Sequence, residues 1–122
     1  MLDRVLQTLE DRRDASLESL KDFLRIPSIS TQSEHKPDML RCADWLVQQF
    51  KFAGMEARTM PTRGHPVVIA QNKHVAGRPT VLFYGHYDVQ PPENDKGLAD
   101  WESPPFKPTI RKDDNGYDAI FA

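Results

Sequence analysis

His86 and Asp88 stand two residues apart, just past Gly85 and at the end of the apolar run Val81-Leu82-Phe83-Tyr84. In extended backbone, residues i and i+2 point to the same face, so both side chains can reach one site while Tyr87 points to the other. A neutral imidazole ligates zinc through one ring nitrogen. A carboxylate on the other nitrogen fixes the tautomer and makes the ligand more basic. His86 is therefore the candidate metal ligand, and Asp88 the candidate catalytic carboxylate that orients it. The pattern His-x-Asp has little specificity by itself, and its weight comes from its place at the end of a rigid element.

Four stretches must position that pair. From about Asp3 to Arg25 the apolar residues Val5, Leu6, Leu9, Leu17, Leu20, Phe23 and Leu24 recur at three- and four-residue steps. This predicts an amphipathic helix, interrupted near Asp14. Ile26-Pro27-Ser28-Ile29-Ser30 ends it, because the residue before a proline is pushed out of the helical region. A second helix is expected from Pro37, in its first turn, through Met39, Leu40, Ala43, Leu46, Val47 and Phe50 to a cap at Gly54. Extended runs follow at Glu56 to Met60, Val67 to Ala70 and Thr80 to Tyr84, the last nearly all apolar, as in a strand covered on both faces. An irregular proline-rich segment from Gln90 to Pro108, anchored by Trp101 and Phe106, leads to a hairpin. Its strands are Thr109 to Arg111 and Tyr117 to Phe121, with Asn115-Gly116 supplying positive φ. Helices followed by strands predict an α/β sandwich.

The composition removes several classes of function. The chain has 122 residues, with 16 Lys+Arg against 18 Asp+Glu and a formal charge of −2. The basic residues are scattered, which argues against a nucleic-acid footprint, and no apolar run is long enough to predict a membrane partner. Cys42 is the sole cysteine, so neither an internal disulfide nor a thiolate cluster can form, as suits a reducing compartment. The charged N-terminal stretch does not read as a signal peptide, and the expected location is cytoplasmic.

Other candidate sites carry less. His35, His65 and His74 lie in predicted loops and read as surface histidines. Cys42 lies on the apolar side of the second helix, where a small buried residue is expected. Asp113-Asp114-Asn115-Gly116 lacks the alternating ligands of a calcium loop and reads as a turn.

Gly85-His86-Tyr87-Asp88-Val89-Gln90-Pro91 resembles the first metal motif of the co-catalytic zinc amidohydrolases and peptidases. That family includes aminoacylases, succinyl-diaminopimelate desuccinylases, glutamate carboxypeptidases and carnosine-type dipeptidases. The stretch from Ser16 to Ser30 is similar to the family's first helix and following turn, and Trp101 to Pro108 to its proline-rich loop. The resemblance covers nearly the whole chain from about Ser16 onward. It implies the N-terminal part, 1-122, of a metallopeptidase catalytic domain with a partial α/β/α sandwich. It also implies His86 as a zinc ligand, Asp88 as the carboxylate that orients it, and two zinc ions in the complete enzyme. The implied substrates are dipeptides or N-acyl amino acids, cleaved at an amide bond.

By the same resemblance, the bridging aspartate, the general-base glutamate and the lid or dimerisation domain lie beyond this stretch. Since a catalytic zinc takes about three protein ligands, the 122 residues alone are expected to be inactive and to hold no zinc tightly. The rival expectation is a non-catalytic folding or interaction module that pairs with another chain, including a second copy as a homodimer.

Overall fold

The computed structural model describes residues 1–122. They divide into two units, Pro27–Pro92 and Met1–Ile26 with Glu93–Ala122.

In the first unit a 3-10 turn, Ser33–His35, leads into α3, Lys36–Phe52 (α1 and α2 belong to the other unit). Pro37 occupies the first turn of α3, where its missing N–H leaves no bond unmade. Met39, Cys42, Ala43 and Val47 fall at three- and four-residue steps, and all four are buried. The helix ends as expected at Gly54, whose φ of 82° suits a residue without Cβ. The Gly54 N–H donates to the Lys51 carbonyl at 2.9 Å and the Met55 N–H to the Phe50 carbonyl at 3.0 Å. Two carbonyls of the last turn are thereby satisfied and the chain is turned back.

It then forms β1, Glu56–Met60, and β2, Val67–Gln71, which pair antiparallel with Ala57 opposite Ala70 and Thr59 opposite Val68. Ala57, Val68 and Ala70 are the half-buried positions of the pair, and α3 packs on both strands. The unit's core is completed by Ile29, which is 2 % exposed.

One expectation fails here. Thr80 to Tyr84 is not a strand. Val81, Leu82, Phe83 and Tyr84 are 68%, 90%, 89% and 93% exposed, and the chain's two small sheets are built without them. A strand buried on both faces needs a neighbour on each edge and a layer on each face, and none of these 122 residues supplies either. The chain is paired again only at Val89, which bridges in parallel to Ile29.

In the second unit, α1 spans Leu2–Asp11 and α2 spans Arg13–Leu24. They are separated at Arg12, whose φ of −105° and ψ of 5° leave the helical range, so the interruption lies two residues before Asp14. Neither helix buries a residue fully. β3, Thr109–Lys112, and β4, Asp118–Phe121, form the expected antiparallel hairpin, with Ile110 opposite Ile120.

Its turn differs from the expected one in that positive φ falls on Gly116 alone, at 81°. Asn115 does not share it, and the turn is instead closed by the side chain of Asp113. Its Oδ1 accepts from the N–H groups of Asn115 and Tyr117 at 3.0 and 2.8 Å. Arg111 stacks over the Phe121 ring at 3.8 Å and pairs with Glu102, tying the proline-rich segment to the hairpin. The α/β class holds, in the form of helices with two small antiparallel sheets.

Candidate metal centre

The residues around His86 are held by the segment that follows α2 in sequence. Ser28, 3 % exposed, donates through its hydroxyl to the Tyr87 carbonyl at 2.7 Å. The Val89 N–H returns a bond to the Ser28 carbonyl at 3.0 Å. On either side of Tyr87 the side chains alternate as the spacing requires. The Tyr87 hydroxyl reaches back to donate to the Pro66 carbonyl at 2.6 Å, while His86 and Asp88 share the other face.

His86 Nδ1 lies 3.0 Å from the Asp88 carbonyl and 3.1 Å from Asp88 Oδ1. Both partners only accept, so Nδ1 carries the proton and the lone pair is left on Nε2. The imidazole is 75% exposed, with Nε2 available to a metal. This tautomer suits ligation through Nε2 and is set by the carbonyl and the carboxylate of Asp88 together. The second oxygen of Asp88 is held as well, since the Ser30 hydroxyl donates to Oδ2 at 2.6 Å. That bond, with the weaker one from His86, holds the Asp88 carboxyl below the usual carboxylate range against the opposing effect of its burial.

Two contributors escaped the sequence reading. Ser30 registered only as part of a turn, and His65 as a surface histidine. His65 is half-buried, and its Nε2–H donates to the Ser30 carbonyl at 2.8 Å. Both contacts join residues far apart in sequence, which no local pattern reports. His35 pairs with Asp38 at 2.7 Å, and His74 is exposed. Cys42 is buried, as expected, and burial pushes its thiol up. Burial likewise raises Tyr87, with smaller contributions from Cys42 and Asp88.

The chemistry of His86 fits one zinc ligand. No group of three or more His, Cys, Asp or Glu side chains converges to hold a metal ion.

A histidine with a free Nε2, oriented by Asp88, is what the structure places at this position. No protein-family model matches the sequence. The Cys-Gly metallodipeptidase DUG1 of Candida albicans is 30% identical over 118 residues, covering 86% of this chain and 24% of the relative. The succinyl-diaminopimelate desuccinylase of Bordetella pertussis is 35% identical over 98 residues, covering 80% of this chain and 23% of the relative. The solved structure of the di-peptidase Dug1p from Saccharomyces cerevisiae superposes with a TM-score of 0.78 at 25% identity, covering 91% of this chain and 25% of that one. Over most of its own length the chain is similar to these metallodipeptidases and desuccinylases, and it spans about a quarter of theirs.

Proposed function

We propose that this chain contributes the first metal ligand, His86, and its orienting carboxylate, Asp88, to a zinc-dependent hydrolase that cleaves the amide bond of dipeptides or N-acyl amino acids. The observation that carries the reading is the Nδ1–H of His86 directed at Asp88, which leaves Nε2 free. When bound, two zinc ions would polarise the scissile carbonyl and lower the pKa of water. The residues of this chain orient one ligand for them. The remaining ligands and the general base come from outside these 122 residues, so the chain alone is inactive. The names of the relatives support dipeptide or acyl-amino-acid turnover, and the sole cysteine fits a cytoplasmic setting.

The reading is tested with a chimera in which this chain replaces the matching quarter of the Candida albicans dipeptidase, checked for folding by circular dichroism. Hydrolysis of Cys-Gly by the chimera, lost by a factor of about 100 or more in His86→Ala, is the expected result. A folded chimera that hydrolyses Cys-Gly equally well with and without His86 would remove His86 from the site. Calorimetric zinc titration of the 122 residues alone should show no tight binding. Stoichiometric tight binding abolished by His86→Ala would instead mean that the chain completes a site by itself.

A second reading rests on the bare run Val81 to Tyr84, 68% to 93% exposed. An unpaired apolar segment of this kind is a template for strand pairing, and a non-catalytic module that docks another chain, or a second copy, would use it. Sedimentation analysis separates the two readings, because only the module forms a defined dimer that Phe83→Lys dissolves.

A further inference from the structure

Asp88 is gripped at both oxygens, by different partners and for different ends. Oδ1 faces the His86 Nδ1–H at 3.1 Å, sharing that proton with the Asp88 backbone carbonyl at 3.0 Å, and Oδ2 accepts from the Ser30 hydroxyl at 2.6 Å. A carboxylate turns about its Cβ–Cγ bond with little resistance. Without an anchor on Oδ2, Oδ1 would sample positions away from the imidazole. Ser30 is itself fixed through its backbone. Its carbonyl accepts from His65 Nε2–H at 2.8 Å, on the loop between β1 and β2. The preceding residue, Ile29, is buried and bridged to Val89. An ordered path therefore runs from the β1–β2 loop through Ser30 and Asp88 to the imidazole.

We propose that Ser30 is a positioning residue, which acts through Asp88 to keep the proton of neutral His86 on Nδ1 and the lone pair on Nε2. The inference rests on the reading of His86 as a ligand only for its consequence in the enzyme, since the tautomer is a property of the metal-free chain. A second serine on the same segment provides the control. Ser28 makes an equally short hydrogen bond, but to the Tyr87 carbonyl and not to the carboxylate.

The test is the nitrogen-15 NMR spectrum of the His86 ring in the metal-free 122-residue chain, at about pH 8.5, two units above the ordinary imidazole value. In the parent chain Nδ1 should appear protonated and Nε2 unprotonated. Ser30→Ala should raise the Nε2–H population about fivefold, the equivalent of one hydrogen bond of ordinary strength. Ser30→Thr, which keeps the hydroxyl, should restore the parent ratio, and Ser28→Ala should leave it unchanged.

An unchanged ratio in Ser30→Ala overturns the proposal. So does an equal shift in Ser28→Ala, which would tie the tautomer to the general order of the segment. Should Ser30→Ala fail to give a folded spectrum, Ser30→Cys, with its weaker donor, should give an intermediate ratio, and no change there overturns the proposal as well. A fixed tautomer together with a chimera indifferent to His86 would retire the ligand reading and keep Ser30 in its role. A free tautomer with a His86-dependent chimera would do the reverse.

Discussion

Two neighbouring stretches of one unit behave in opposite ways. Residues 86 to 89 are held by side chains and backbone of Ser28 and Ser30, with Tyr87 anchored to Pro66. Residues 81 to 84, richer in strand-forming side chains, lie exposed and outside any sheet. The difference is not propensity, which favours Val81 to Tyr84. It is the supply of partners. Ser28 to Ser30 brings carbonyls, hydroxyls and the buried Ile29 to the first stretch, whereas the apolar run would need strands on both edges.

The contrast should be plainest in stability. Met39→Ala, in the core of the same unit and 2% exposed, should cost about 2–5 kcal/mol in urea denaturation, through lost burial and the cavity left behind. Phe83→Ala, a larger deletion but in the bare stretch, should stay within about 0.5 kcal/mol. A large loss for Phe83→Ala would show that the run is packed in solution and would break the comparison.

Next in size is the hydrogen bonding of the held stretch. Ser28→Ala removes the hydroxyl donor from the Tyr87 carbonyl and leaves only the long contact from the Cys42 thiol, at 3.7 Å. Loss of a buried hydrogen bond predicts a cost of about 1–3 kcal/mol. Thr80→Ala, beside the bare run, should be close to neutral by the same measurement. Amide hydrogen exchange would sharpen this pair, with slow exchange at Val89, whose N–H is bonded to the Ser28 carbonyl, and fast exchange from Val81 to Tyr84.

The same contrast explains what could be read from sequence. α3 was legible nearly to its ends, because its start, its buried stripe and its stop depend on Pro37, Met39 to Val47 and Gly54, all close in sequence, although Leu40, expected among the apolar positions, is exposed. The runs that form β1 and β2 were legible from their extended patterns, while their antiparallel pairing was not. His86 and Asp88 were legible because a two-residue spacing in extended backbone fixes their relation. Ser30 and His65 were not, since their bonds join residues 58 and 35 positions apart. The strand expected at Thr80 to Tyr84 failed for the converse reason. Its residues favour a strand, but a strand is made by its neighbours.

The smallest expected effect depends on pH and acts only on the held stretch. Cys42 lies against the Tyr87 carbonyl and is buried, which raises its thiol above the ordinary value. Because the folded form keeps the proton longer than the unfolded chain does, this contribution to stability is complete below about pH 8.5, the ordinary value for cysteine. It is then lost as pH climbs through the raised folded value. Tyr87 is shifted in the same direction and adds to the loss at higher pH. One such group can change stability by at most about 1.4 kcal/mol per pH unit. Urea midpoints of the parent chain should therefore hold steady from about pH 7 to 8 and fall by about pH 10, with a shallower fall in Cys42→Ala. A thiol reagent should label Cys42 only as fast as the unit opens. Rapid labelling of the native chain at neutral pH would mean that the held stretch opens as readily as the bare one, and the distinction between them would fail.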